Sequence, residues 1–257
     1  MTRLIGRIAA TMLCLAAQAT LAAAADLNVY STTAMRGVLE ELVPQFQKQS
    51  GKTLALTFGT ATMLAQRIEA GEPADVAILT RASIDSLNKD GKLLPGSDMV
   101  VAQSIISVGI KRGAHKPDIS TPESLKETLR TAKSIAYSDP ATGGASGIHF
   151  AKMLENMGIA AEMKAKTKHP PAGGNAAALV ATGEAELAVQ QKPEIMNAAG
   201  VDVAGPLPRD LNTVTVYAGA ITAKGKNPDT AKALLEFLQS PDAVKVFKAS
   251  GFGAESD

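Results

Sequence analysis

A chain of 257 residues, 46% of them hydrophobic and 20% charged, can bury a large core as one domain or two smaller ones. A formal net charge of +1 and 4% aromatic content with no Trp exclude a basic nucleic-acid surface, a basic lipid-binding helix and an aromatic box for sugars or quaternary amines. Cys14, the single cysteine, leaves no thiolate or disulfide once the first residues are removed.

Residues 1–25 read as a cleavable export signal. Arg3 and Arg7 form its positive start, Ile8 to Leu21 its short apolar core, and Ala22 to Ala25 the small residues of a cleavage site. Removal takes away those two arginines and no acid, so 26 basic side chains become 24 against 25 acidic ones. The mature protein is expected to be exported from the cytoplasm.

The first element after the signal is a short strand running into Val29-Tyr30-Ser31-Thr32-Thr33-Ala34-Met35-Arg36. Its hydroxyl-rich turn opens a helix whose buried stripe is Leu39, Leu42, Val43 and Phe46. Pro44 predicts a kink there. Lys52 to Phe58 reads as a strand, Gly59-Thr60-Ala61-Thr62 as a second hydroxyl turn, and Leu64 and Ile68 as the inward face of the helix that follows. Ala74 to Thr80 is a continuous apolar strand of the kind found in parallel sheets. A short helix around Ile84 to Leu87 precedes a β-rich run, Val100 to Ile110. Thr121-Pro122 starts a helix, and Ser134 to Tyr137 is a strand. A glycine-rich loop, Asp139 to Gly147, then leads to a helix over His149 to Met157. Pro170 to Asn175 opens a helix over Ala176 to Ala181, and Glu186 to Gln191 is a strand ending in two amides. Strands at Val201 to Ala204 and Thr213 to Thr222 precede two capped C-terminal helices. Alternating strands and helices predict α/β architecture; periodicity alone does not divide the chain into lobes.

Most motifs have ordinary readings. Gly51-Lys52-Thr53 lacks the leading glycine of a phosphate loop and precedes a strand, so it is a helix stop. His115, His149 and His169 have no partner at ligand spacing. No metal or other cofactor is therefore expected, and a packing role suits His149 better than ligand contact. Arg36 suits a surface charge and a carboxylate partner equally. No nucleophile–base set or carboxylate pair can be assembled, which sets a small hydrolase or transferase behind a binding role. A single hydroxyl turn is an ordinary N-cap. Four small-residue turns, each between a strand and a helix, exceed what capping requires. Such turns expose N–H groups that carry partial positive charge and bind anions without a cation. The candidate ligand-binding residues are Thr32, Thr33, Ala34, Thr60, Ala61, Thr62, Ser146, Gly173, Gly174, Asn175 and Gln191.

Val29 to Phe46, Thr57 to Val76, Asp139 to Lys152, Ala177 to Val189 and Phe247 to Phe252 resemble the periplasmic molybdate-binding proteins of ABC importers. Leu64-Ala65-Gln66-Arg67-Ile68-Glu69-Ala70-Gly71-Glu72-Pro73-Ala74-Asp75-Val76 carries the most specific match. The resemblance implies the two-lobed type II periplasmic-binding-protein fold. Each lobe would be a mainly parallel sheet flanked by helices, with two crossover strands. Lobe 1 would comprise residues 26–104 and 218–257, and lobe 2 residues 105–217. It also implies a monomer that delivers its guest to an inner-membrane permease. The family's two ligand-binding serines fall on Ala34 and Ala61, its backbone donors near Ser146 and Gly173, and its tyrosine on Gln191. The pocket thus reads as rebuilt for a small organic anion, a carboxylate, ahead of molybdate or tungstate. The same fold serves as the effector domain of transcription regulators, but an export signal stands where those chains carry a helix-turn-helix.

Overall fold

The computed structural model describes residues 25–253. The predicted export signal lies outside the described residues apart from Ala25. The chain runs β1 (Leu27–Thr32), α1 (Arg36–Ser50), β2 (Leu54–Gly59), α2 (Ala61–Glu69), β3 (Val76–Thr80), α3 (Arg81–Lys89) and β4 (Met99–Lys111). It continues through α4 (Pro122–Thr131), β5 (Ile135–Tyr137), α5 (Ala145–Asn156), α6 (Ala160–Lys164), β6 (Thr167–Lys168), α7 (Ala176–Ala181), β7 (Leu187–Gln191) and α8 (Lys192–Met196). Last come β8 (Val201–Pro206), β9 (Val214–Ile221), α9 (Pro228–Leu238) and α10 (Pro241–Ala249). The α/β alternation is as expected. The residues of α6, β6 and α8 were not assigned from sequence, because each element is too short to show a period. Helix α1 continues past Pro44 to Ser50.

The described strands join in one nine-stranded sheet, ordered β2-β1-β3-β9-β4-β7-β5-β6, with β8 also on β4. Strand β1 pairs parallel with β2 and β3, and β5 pairs parallel with β6 and β7. Between these parallel groups, β9 and β4 run antiparallel to their neighbours. Strand β4 is the seam: Met99 to Ile105 pair with β9, whereas Ile106 to Lys111 pair with β7 and β8. All of β9 pairs with β3 and β4.

Apolar faces explain why the sheet folds with a core on both sides of each half. In the first half, Leu39, Leu42 and Phe46 of α1 pack with Leu234, Leu235 and Phe247 from the far end of the chain. On the other face, Leu64, Ile68, Ile84 and Leu87 meet Ala77 and Leu79. The second half has its own cores: Phe150, Leu154 and Leu129 over Ile106 and Val108, and Val180 and Ile195 over Ala188. Among the described residues no helix is long and apolar enough to cross a membrane.

Asp75, inside the most specific sequence match, ties the first half together. Its carboxylate accepts from the backbone N–H of Asn28 (2.7 Å) and of Lys226 (2.6 Å), joining the start of the sheet to the segment after β9. Asp75 is buried, so its removal leaves both donors without a partner. Asp75→Ala is expected to lower stability by about 2–3 kcal/mol, read as a lower urea midpoint at unchanged slope.

Candidate functional site

The cleft forms where strand ends meet helix starts. From the first half come Thr32 at the end of β1 with Thr33 after it, Thr60 ahead of α2 with Ala61 at its start, and Thr80 at the end of β3. From the second half come Ser138, Asp139, Thr142 and Gly144 to Ser146 around the start of α5, and Pro170, Pro171, Gly173 and Gly174 ahead of α7. Gln191 at the end of β7, Glu194 in α8 and Tyr217 in β9 close its floor. This is the carboxyl-end crevice where ligands of open α/β sheets lie.

Local chemistry sets each turn. Thr60 caps α2 by accepting from Met63 N at 3.3 Å, and its own hydroxyl donates across the cleft to the Thr142 carbonyl. The Thr33 hydroxyl donates to Glu194 Oε1 at 2.9 Å, a second bridge between the halves. The first intrahelical bonds are Leu64 N to the Thr60 carbonyl in α2 and Ile148 N to the Gly144 carbonyl in α5. The N–H groups of Ala61, Ala145 and Ser146 precede those bonds, and helix geometry aims them at the cleft. Gly147 lets α5 approach: a Cβ there would stand 2.0 Å from the Ser138 carbonyl oxygen. Gly143, at φ +77°, turns the chain into α5 against Thr62.

Of the residues singled out from sequence, Thr32, Thr33, Ala34, Thr60, Ala61, Ser146, Gly173, Gly174 and Gln191 line this one cleft. Thr62 and Asn175 do not. Thr62 is exposed, and its hydroxyl donates to the Gly143 carbonyl at 3.3 Å. Asn175 instead caps α7, accepting from Ala177 N at 2.8 Å and donating to the Glu194 carbonyl at 2.8 Å. The start of α7 is closed to a guest, because Gln190 Oε1 accepts from Ala176 N at 2.8 Å. So α2 and α5 keep first-turn donors facing the cleft, and α7 does not. Arg36 lies outside the cleft, stacked over the Phe58 ring at 4.2 Å and 3.5 Å from Glu40. His149 bonds the Leu211 carbonyl at 2.7 Å.

Glu194 and Tyr217 were missed from sequence. Tyr217 carried no signal; Glu194, three residues into a helix opened by Gln191 and Pro193, had a weak one. Glu194 is buried, and Gln190 Nε2 donates to its Oε1 at 2.8 Å alongside Thr33. Burial outweighs these hydrogen bonds and pushes the carboxyl up to about 7. Burial and the nearby Glu194 raise the Tyr217 phenol well above its ordinary range.

Among the described residues, the lining contains no Lys, Arg or His, and no His/Cys/Asp/Glu group could hold a metal ion. Two lining side chains have a buried polar atom without a protein partner: Thr32 Oγ1 and Gln191 Oε1. Gln191 Nε2 donates to Thr215 Oγ1 at 2.8 Å. Rotating that amide by half a turn gives Oε1 to the Thr215 hydroxyl and turns the NH₂ toward the cleft.

A family model described as bacterial extracellular solute-binding protein matches residues 27–253. An aconitate isomerase from Pseudomonas sp is 34% identical over 231 residues, covering 88% of this chain and 86% of that one. The molybdate-binding protein ModA of Escherichia coli is 26% identical, covering 88% of each chain. The solved periplasmic molybdate-binding protein of Azotobacter vinelandii superposes with a TM-score of 0.75 at 24% identity, over 90% of this chain and 100% of that one. The fold is that of type II periplasmic binding proteins.

Glu194 makes stability depend on pH. Its folded value near 7 lies above the ordinary 4.5, so the folded protein keeps a proton that the unfolded chain has released. That contribution is complete below about pH 4.5 and is lost as pH rises through 7. Glu194→Gln is expected to gain on the natural chain by on the order of 3 kcal/mol between pH 5 and pH 8, read from urea midpoints at each pH.

Proposed function

Because the chain belongs to the bacterial extracellular solute-binding protein family, we propose that it is a periplasmic receptor. It captures a small organic anion with more than one carboxylate and delivers it to an ABC permease. The observation that carries the reading is a cleft lined by helix-start donors, orphaned polar atoms and small apolar residues, with no cationic side chain. Helix-start N–H groups and the Thr32 hydroxyl suit carboxylate oxygens. Ala34, Ala61, Pro170 and Pro171 offer the carbon skeleton a surface that a bare oxyanion does not use. The 34% identity to an aconitate isomerase, against 26% to the Escherichia coli molybdate-binding protein, favours a tricarboxylate over molybdate.

The receptor is a monomer whose two lobes meet through β4 and β9. One lobe takes residues 26–104 with the C-terminal segment from about 214–218 onward, and the other the residues between. The hinge sits where β4 changes partners, between Ile105 and Ile106. Opening the lobes separates Thr33 from Glu194 and Thr60 from Thr142.

Calorimetric titration of ligand-stripped protein tests this reading. Cis- or trans-aconitate or citrate is expected to bind at micromolar Kd or tighter, and molybdate, tungstate and sulfate much more weakly. Sub-micromolar molybdate binding without carboxylate binding would refute it. Thr32→Val is expected to weaken the carboxylate by about 10–150-fold, the cost of one lost hydrogen bond to a charged group.

A further inference from the structure

Capture alone leaves Glu194 without a purpose. A receptor for anions gains nothing from a buried acid in its wall, because the ionised form repels the guest. The carboxyl has no cationic neighbour in the lining, where the other titratable side chains are Asp139 and Tyr217; Lys192 lies on its own helix. Yet it is held firmly, by Thr33 from one half and Gln190 from the other. A fixed, desolvated carboxyl facing a bound substrate is the arrangement of a general acid–base.

Resting on the capture of a polycarboxylate, we infer that Glu194 is a catalytic group that carries a proton between two carbons of a bound unsaturated polycarboxylate. Ionised Glu194 takes a proton from the methylene carbon that lies between a carboxylate and the double bond. That C–H bond breaks, and its electron pair forms a new C=C to the central carbon. The pair of the old C=C passes to the far carbon, where the same carboxyl returns the proton and a new C–H bond forms. Protons and electrons balance, with no oxidant, reductant or metal. The charge that builds up spreads onto the flanking carboxylates, where the first-turn N–H groups of α2 and α5 stabilise it. The relocated double bond can take either geometry, so cis and trans isomers interconvert. A carboxyl lifted to about 7 by burial has both of its forms within reach near neutral pH.

The experiment incubates the full-length protein with trans-aconitate and, separately, cis-aconitate in D₂O. Proton NMR follows isomer interconversion and deuterium entry at carbon; calorimetry measures Kd on the same samples. The natural chain is expected to interconvert the isomers and to exchange carbon-bound hydrogen. Glu194→Gln, which keeps the hydrogen-bond acceptor, is expected to bind within a few-fold but to exchange about 10²–10⁴-fold more slowly. Binding by the natural chain without exchange overturns the inference and leaves the receptor reading intact. Failure to bind any tricarboxylate overturns both. Undiminished exchange in Glu194→Gln overturns the assignment of the residue. Should that variant lose binding, Glu194→Asp decides. Exchange slowed about tenfold or more at unchanged Kd supports the assignment, and unchanged exchange overturns it.

Discussion

An anion taken out of water must find its lost hydration replaced from several directions at once. Among the described residues, the cleft lining offers no cationic side chain to do this. The burden falls on N–H groups and hydroxyls, each weak alone, and their convergence is what the architecture has to supply. Two halves meeting edge to edge along β4 supply it, because each half aims its own strand-to-helix turns at the same crevice. The glycines at 143 and 147 serve that convergence, for a side chain at either would push α5 away from it. So do the crossings from Thr33 and Thr60, which fix the distance between the halves.

Within this arrangement, neighbouring amides have opposite duties. Side chains alternate along a strand, so Gln190 and Gln191 leave β7 on different faces. Gln190 turns inward and stoppers α7, and Gln191 faces the cleft. One helix start is thereby withdrawn from the guest, and the first-turn donors that remain are those of α2 and α5, one set from each half. They share the cleft with Glu194, a buried acid.

The sequence told much of this and concealed some. Ser31-Thr32-Thr33 and Gly59-Thr60-Ala61 were legible because a turn between strand and helix is local chemistry, set by hydroxyls and glycines within a few residues. The buried stripes of α1 and α2 were legible for the same reason. Thr62 and Asn175 carried the same local signals but spend them on Gly143 and on capping α7, a choice that depends on what lies opposite in space. Glu194 and Tyr217 were hidden because α8 is a five-residue helix without a period and β9 returns from the far side of the chain. No window of sequence holds both.

The first half is built from both ends of the chain: Leu39 and Phe46 pack with Leu234 and Phe247. The second half, from Ile106 to about Asn212, is contiguous. A polypeptide emerging N-terminus first thus exposes α1 and β1 to β3 long before their partners exist, while the middle segment already has everything it needs to condense. Contacts at such sequence separation form late. The order of maturation is therefore inside out, with the middle settling first and the two termini clasping around β9 last. Until that clasp closes, the early strands stand as unsheltered edges that a chaperone would have to guard.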